Sequence, residues 1–442
     1  MLIHALACDY DGTIATAGAV APDTRAALAR VRESGRRLVL VTGRMLEDLR
    51  VVCPDLDAMF DAVVVENGAL LYRPADGEVK VVGGRPEPVL VDALGRRGVP
   101  IALGASIIAT DAPYAEPALA AIQETGVERT LVFNKGSLML LPGGVTKATG
   151  LEAALAALGL SPRNTVGVGD AENDHAFLAY CECAVAVADA VPALRERADL
   201  VTAGANARGV VELIQTHVLA DGLDLVPRLV RHWITLGERG DGTPVTIPAH
   251  RTRLLVVGPS APALVAVLVD RLVEAGRAVC VLDPEGDYRG LAELEGVVGL
   301  GATAEHAVPT AGELAQLLSH PRTSLVLDLS AFSRAEKVRY AMQALDTIAG
   351  VRARAGVPHW LVVGEAAGLA PPDGPPAGEW LRAGDESLCL VASRAGDPGG
   401  DVRSLATAVV STDSAPGEAR LAIGTGPAER FLVGRGRKTP RP

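Results

Sequence analysis

Two carboxylates one residue apart, Asp9 and Asp11, close the apolar run Leu6-Ala7-Cys8, and Gly12-Thr13 follow them. In an extended strand alternate side chains share a side, so Asp9 and Asp11 point the same way with Tyr10 opposite. Gly12 permits the turn that ends the strand. Ligands of open α/β sheets bind at the carboxyl ends of strands. A carboxylate placed there can attack an electrophile such as phosphorus, and a second one beside it can protonate the leaving oxygen and later deprotonate water. Asp9, nearest the strand, is the nucleophile candidate, and Asp11 is the acid–base candidate. Cys8 alternates into the core and reads as a buried, inert thiol.

Other apolar runs end in polar groups too. Leu38-Val39-Leu40-Val41 leads to Thr42-Gly43-Arg44. A hydroxyl, an accessible backbone N–H and a cation in that order suit a phosphate. Val63-Val64-Val65 leads to Glu66-Asn67-Gly68, of which Asn67 is a substrate-binding candidate and Glu66 is not read as catalytic. Lys147 precedes the apolar-periodic segment Leu151 to Leu158, so it sits near a helix start. The strand Thr165 to Gly169 runs into Asp170, Asn173 and Asp174, three polar groups spaced for a tight turn. Taken singly, each has an ordinary reading: a solvated lysine, N-cap residues, a surface arginine, an Asn-Gly turn. The ordered set argues against all of these at once.

Asp9-x-Asp11-Gly12-Thr13, Thr42-Gly43-Arg44, Lys147 and Gly169-Asp170-x-x-Asn173-Asp174 resemble the four ordered motifs of the haloacid dehalogenase superfamily of phosphatases. Glu66-Asn67-Gly68 and the late insertion point further resemble its Cof-type sugar-phosphatase branch, which includes sucrose-phosphate, mannosylglycerate-phosphate and archaeal phosphoglycolate phosphatases. The resemblance covers residues 1–217, roughly half of the 442-residue chain. It implies a Mg²⁺-dependent phosphatase that acts on a small phosphorylated metabolite through an aspartyl-phosphate. The matching positions give Asp9, Asp11 and Lys147 catalytic roles and assign phosphate or substrate to Thr42, Gly43, Arg44, Asn67 and Asn173. They assign the metal to Asp9, Asp11 through its carbonyl, and Asp170, with Asp174 either orienting that set or joining it. The chemistry agrees, because a phosphate dianion repels these carboxylates and needs a cation. Mg²⁺ favours oxygen ligands, and Lys147 with Thr42 would hold the transferring group.

Positioning such residues takes a parallel sheet. The pattern predicts an α/β chain: a Rossmann-like core over 1–72 and 144–217, an inserted α+β cap over 73–143, a linker over 218–250, a second α/β domain over 251–434, and a short basic tail over 435–442. In the cap, helix-like stretches Glu87 to Arg97 and Glu116 to Thr125 separate strand-like pieces at 79–82, 101–103, 106–109, 130–133 and 138–141. A cap over the site excludes water and touches the leaving group. Asn134 and Lys135, near a strand end, are either specificity contacts or an exposed turn.

The second half has strand candidates at 254–257, 278–282, 324–327, 360–363 and 388–391, with helices at 263–275 and 335–355 between them. Alternation of this kind argues a parallel sheet. This half resembles a HerA/FtsK-type P-loop ATPase whose active site is worn away. A working loop reads G-x-x-x-x-G-K-[ST]; here Gly258 is followed by Ala263, Leu264 and Val265 at the last three positions. Asp283-Pro284-Glu285-Gly286-Asp287-Tyr288 resembles the acidic turn after the second strand, and Gly364-Glu365 stands where an Asp-Glu pair should end a strand. The alternative is any Rossmann-like sheet, and on either reading ATP hydrolysis is not expected.

Composition bounds the partners. The net charge is −11, which argues against general polyanion binding, nucleic acid included. No apolar run approaches the ~18 residues a membrane span needs. The first residues enter a strand at once, which leaves no room for a signal peptide, and six scattered cysteines fit a reducing cytoplasm. Two functions stay open on this basis. One is a Mg²⁺-dependent phosphatase whose second domain docks a protein partner, self-associates or regulates. The other is a nucleotide- or nucleic-acid-associated module in which phosphatase chemistry is secondary.

Overall fold

The computed structural model describes residues 3–134, 136–222, 224–301, 307–371, 374–381, 387–393, 400–412 and 417–434. Lys135 and the basic tail lie outside the described residues. The chain forms two compact units, Leu2–Arg228 and Leu229–Pro442.

The first unit is built on an eight-stranded sheet in the spatial order Leu200–Val201, Cys183–Ala186, Thr165–Gly169, Ala5–Cys8, Arg37–Val41, Ala62–Val65, Leu70–Arg73, Glu78–Val81. The first six strands are parallel, and the last two form an antiparallel hairpin on the edge. The inner parallel strands, apolar apart from Arg37 and the Thr and Gly of Thr165–Gly169, are buried on both faces except at Arg37, as helix-covered sheets require, while the edge strand Leu200–Val201 is partly exposed. Their register decides the site: Cys8 pairs with Val168 on one side and Leu40 on the other. The residues that follow, Asp9, Asp170 and Thr42, therefore emerge together at the carboxyl edge. The helix Lys147–Leu158 starts at Thr146, whose side chain accepts from Thr149 N in a capping box, and stops at Gly159 with φ +66°.

The cap is smaller than the sequence pattern indicates. Residues 73–81, expected within it, complete the hairpin Leu70–Arg73 and Glu78–Val81 of the core sheet. Every residue of the strand Glu78–Val81 is exposed. A core strand at a sheet edge carries no buried alternation, and that is why it reads as part of the insertion. The cap proper is a four-stranded antiparallel sheet, ordered Ala102–Leu103, Ile108–Asp111, Ser137–Pro142, Arg129–Asn134. The helices Pro88–Arg96 and Ala115–Thr125 pack on it around Leu90, Leu94, Ile108, Leu138 and Leu140.

The second unit carries an eleven-stranded sheet. Seven of its strands are parallel, in the order Ala408–Ser411, Arg253–Val257, Ser387–Ala392, Trp360–Val363, Val279–Asp283, Ser324–Asp328, Val297–Gly301. Four antiparallel strands extend it beyond Ala408–Ser411. Two of these, Ile234–Glu238 and Pro244–Ile247, fall inside the segment expected to be a linker. Ile234, Leu236, Val245 and Ile247 are buried in the unit's core, and Trp360 Nε1 donates to Ala249 O at 2.9 Å. The Gly-rich stretch between them is a hairpin turn, not a tether. Within the strand Ile234–Glu238, Gly237 is required, because a Cβ would lie 1.9 Å from Leu432 O on the neighbouring strand. The strands Val297–Gly301, Glu418–Ile423 and Glu429–Val433 were not anticipated either; Gly and charged residues interrupt their apolar runs. No helix among the described residues is long and apolar enough to cross a membrane.

Candidate active site

Asp9 leaves its strand 5% exposed, Asp170 is 7% exposed and Asp174 is fully buried. One oxygen from each lies within 4.8 Å of the others. Lys147, the first residue of its helix, reaches into this cluster: Nζ donates to Asp9 Oδ1 at 2.6 Å and to Asp174 Oδ1 at 2.6 Å. The other Asp174 oxygen accepts the backbone N–H groups of Asp170 and Ala171 at 2.8 and 2.9 Å. Asp170 Oδ1 accepts from the hydroxyl of Thr13 at 3.1 Å.

The charges do not balance. Burial pushes the Asp9 carboxyl up to about 7, the Asp174 charge adds to this, and Lys147 opposes it. Burial works to lower Lys147, yet the Asp174 and Asp9 carboxylates outweigh it and hold the ammonium above its usual range. Cys8, beside Asp9, is pushed far up by burial and by the Asp9 charge, in keeping with an inert thiol. Three buried carboxylates around one lysine form a hard, oxygen-only donor set with excess negative charge. That set fits a divalent cation such as Mg²⁺.

The neighbouring loops complete the cleft. Arg44 grips both oxygens of Asp11, from Nε at 2.6 Å and Nη2 at 2.7 Å, and stacks over the Tyr10 ring at 5.5 Å. Arg44, expected on the phosphate, is thus paired with the acid–base candidate. Thr42 is buried, and its Oγ1 accepts from Arg44 N at 3.2 Å. Asn173 Nδ2 donates to Asn67 Oδ1 at 2.9 Å, and Asn67 Nδ2 donates to Met139 Sδ of the cap at 2.6 Å. A Cβ on Gly43 would meet Asn67 Oδ1 at 3.2 Å, so that loop passes close to the amide. The structure therefore gathers Asp9, Asp170, Asp174 and Lys147 in one knot. It sets Asp11 with Arg44 beside that knot, and it links Asn67 to Asn173 under the cap.

Two contributors escaped the sequence reading. Thr13 was legible only as a turn residue, although the motif it closes signalled its place. Met139 lies on the strand face that alternation assigns away from the cap's own core, and that alternation was the available clue.

The sequence profile of the haloacid dehalogenase-like hydrolases matches residues 6–81 and 102–214. A phosphoglycolate phosphatase from Methanothermobacter thermautotrophicus is 31% identical over 223 residues, covering 48% of this chain and 98% of that protein. The chain belongs to the haloacid dehalogenase-like hydrolases. A phosphoglycolate phosphatase from Halorubrum lacusprofundi is 30% identical over 228 residues, 48% of this chain and 96% of its own length. A crystal structure of a haloacid dehalogenase-like hydrolase from Bacteroides thetaiotaomicron superposes with a TM-score of 0.44 at 20% identity, covering 48% of this chain and 98% of that one. The matched residues fall within the first unit, and the relatives at 30–31% identity are phosphatases. The break between the two matched stretches, residues 82–101, falls at the start of the cap.

Proposed function

We propose that the first unit hydrolyses a small phosphorylated metabolite, of the sugar phosphate or phosphoglycolate kind, with Mg²⁺ held by Asp9, Asp170, Asp174 and the Asp11 carbonyl. The observation that carries this reading is the placement of Asp9 at a strand end, 2.6 Å from Lys147 and clustered with Asp170 and Asp174. A bound divalent cation would supply charge neutralisation for the incoming phosphate. An Asp9 oxygen attacks phosphorus, and the bond to the leaving oxygen breaks as Asp11 gives that oxygen a proton. Asp11 then takes a proton from water, whose oxygen displaces Asp9 and releases inorganic phosphate. Lys147 holds Asp9 in line and offsets charge on the transferring group. In the ligand-free geometry Arg44 occupies both Asp11 oxygens. Phosphate binding draws Arg44 away and frees Asp11 for proton transfer.

The cap face over the site supports a leaving group that is small and partly polar. It presents Val132 and Met139, together with Asn134, whose Oδ1 is buried without a hydrogen-bond partner among the described residues. Asn173 Oδ1 is in the same state. Both can accept from a substrate hydroxyl.

We infer further that the second unit is a non-catalytic relative of P-loop ATPases that docks a partner, joins subunits or regulates the first. In support, Leu264 and Val265, at the positions a working loop gives to Lys and Ser or Thr, are buried in the apolar core. The experiment is phosphate release from a panel of sugar phosphates, phosphoglycolate and nucleotides with Mg²⁺. Turnover of at least one small phosphomonoester is expected, and folded protein that releases phosphate from none of them overturns the reading.

A further inference from the structure

Glu66 is 1% exposed, lies outside the catalytic knot and has a carboxylate wholly engaged by the cap. Its Oε1 accepts from Ala105 N at 2.8 Å, and its Oε2 accepts from Ser106 N at 2.8 Å and Ile107 N at 3.1 Å. Gly104 leaves room for this contact, since a Cβ there would stand 2.7 Å from the carboxylate. The same cap loop holds the chain that enters the cap: Ser106 Oγ donates to Gly84 O at 2.6 Å, and Arg129 donates to Ser106 O at 2.6 Å and Arg85 O at 2.8 Å.

The backbone of Glu66 belongs to the site. Glu66 N donates to Arg44 O at 2.9 Å, and Asn67 N donates to Thr42 O at 3.1 Å, so the turn fixes the Thr42–Arg44 loop. Gly68, at φ +101°, packs so tightly on the helix that carries Lys147 that a Cβ would fall 1.9 Å from Thr146 O. Glu66 and Asn67 are both held at φ +53°, a left-handed conformation that non-glycine residues adopt only under strong constraint. One four-residue turn thus touches the phosphate loop, the Lys147 helix, the Asn67 amide and the cap.

We propose that Glu66 is a positioning residue that sets the cap in register over the active site, so that the cap face meets the leaving group in a fixed position. This rests on the phosphatase reading above. Glu66→Gln keeps the shape but turns an amide N–H toward one of three N–H donors, and Gly104→Ala presses on the same carboxylate from the cap side.

With the full chain and Mg²⁺, both variants are expected to raise KM for a hexose phosphate about fivefold to tenfold, the loss of one charge-assisted hydrogen bond. Their kcat should stay within about twofold of wild type, and kcat/KM for methyl phosphate, too small to reach the cap, should be unchanged. Amide exchange of the peptide spanning 104–108 should rise, while that of 137–141 in the cap's core does not. Faster exchange at 104–108 with an unchanged hexose phosphate KM would make Glu66 a purely structural anchor and overturn the proposal. Equal losses on both substrates would overturn it as well, since they would place Glu66 in the chemical step. If wild type hydrolyses neither substrate, the KM comparison is made with whichever member of the phosphomonoester panel it does hydrolyse; if it hydrolyses none, the phosphatase reading fails, and the exchange measurement then still decides whether Glu66 anchors the cap.

Discussion

In the first unit Asp9, Asp170 and Asp174 crowd around a single lysine. In the second, Asp283, Asp328 and Glu365 also stand at the carboxyl ends of parallel strands, yet each has a local partner. Asp283 accepts the backbone N–H groups of Gly286, Asp287 and Tyr288 at 2.8, 3.1 and 2.8 Å. Asp328 is paired with Arg289 at 2.6 Å, and Glu365 accepts from Ser393 N at 2.9 Å and from its hydroxyl. An acidic strand end is therefore not a catalytic site in itself. What separates the two sheets is convergence: in the first, three carboxylates share one space with a single lysine and leave net charge for a ligand, whereas in the second each carboxylate stands with partners of its own.

The sharpest way to break this contrast is Asp9→Asn. Phosphate release should fall by about 10³-fold or more, as for loss of a nucleophile. Thermal unfolding should be unimpaired, because the amide still receives the Lys147 bond. Wild-type-like release would remove the nucleophile from the first unit and with it the distinction between the sheets.

Lys147→Met tests the charge imbalance directly. It strands Asp9 and Asp174 without their buried cation, and stability should drop by about 3 kcal/mol, the cost of breaking a buried pair. Chemical denaturation measures this. A loss under 1 kcal/mol would mean the carboxylates are less crowded than the geometry implies.

Metal supply comes next in size. Chelator should silence the enzyme and added Mg²⁺ restore it, and Asp170→Ala should raise the Mg²⁺ concentration needed for half-maximal rate by about 10- to 100-fold. Full activity in excess chelator contradicts the assignment of the cluster to a metal.

The smallest expected effect lies in the second unit. Glu365→Gln should leave phosphatase turnover within about twofold, the range of substitutions remote from chemistry. Protein carrying Asp9→Asn should show no ATPase activity. P-loop hydrolysis relies on the loop Lys, a hydroxyl on the metal and an acidic strand end, and Leu264, Val265 and Gly364 occupy those places. ATP turnover above background that is lost on Glu365→Gln would reverse the ranking of the two units.

The site was legible in the sequence wherever a polar cluster directly follows an apolar run. Asp9, Thr42 and Asp170 follow adjacent parallel strands, and local pattern alone places them together once the strands pair. Lys147 was legible as a helix start, but its reach to Asp9 and Asp174 depends on how that helix crosses the sheet. The pairing of Arg44 with Asp11 was hidden, because both residues also suit a phosphate. Glu66 was set aside because its partners are backbone N–H groups about forty residues away, and backbone donors leave no mark in residue identity. Among the elements, the central parallel strands of both units were readable from continuous apolar runs, whereas Cys183–Ala186, Val297–Gly301 and Ala408–Ser411, shorter or interrupted in their apolar runs, were not. The edge hairpins at 70–81 and 234–247 were misassigned for different reasons: Glu78–Val81 is exposed throughout and so reads as part of the insertion, whereas the alternation of Ile234, Leu236, Val245 and Ile247 is broken by a Gly-rich turn that reads as a tether.

The cap keeps an apolar core of its own, formed by Leu90, Leu94, Ile108, Leu138 and Leu140 against its helices, and gives the opposite face of the same sheet to the site. Strand alternation thus assigns neighbouring residues to separate duties. Leu138 and Leu140 belong to the cap's own core, while Val132 and Met139 pack on the opposite side with Ile107, Leu141 and Val145. On the proposed reading, Val132, Asn134 and Met139 are the positions at which the range of leaving groups would be revised, one residue at a time, along one side of two strands.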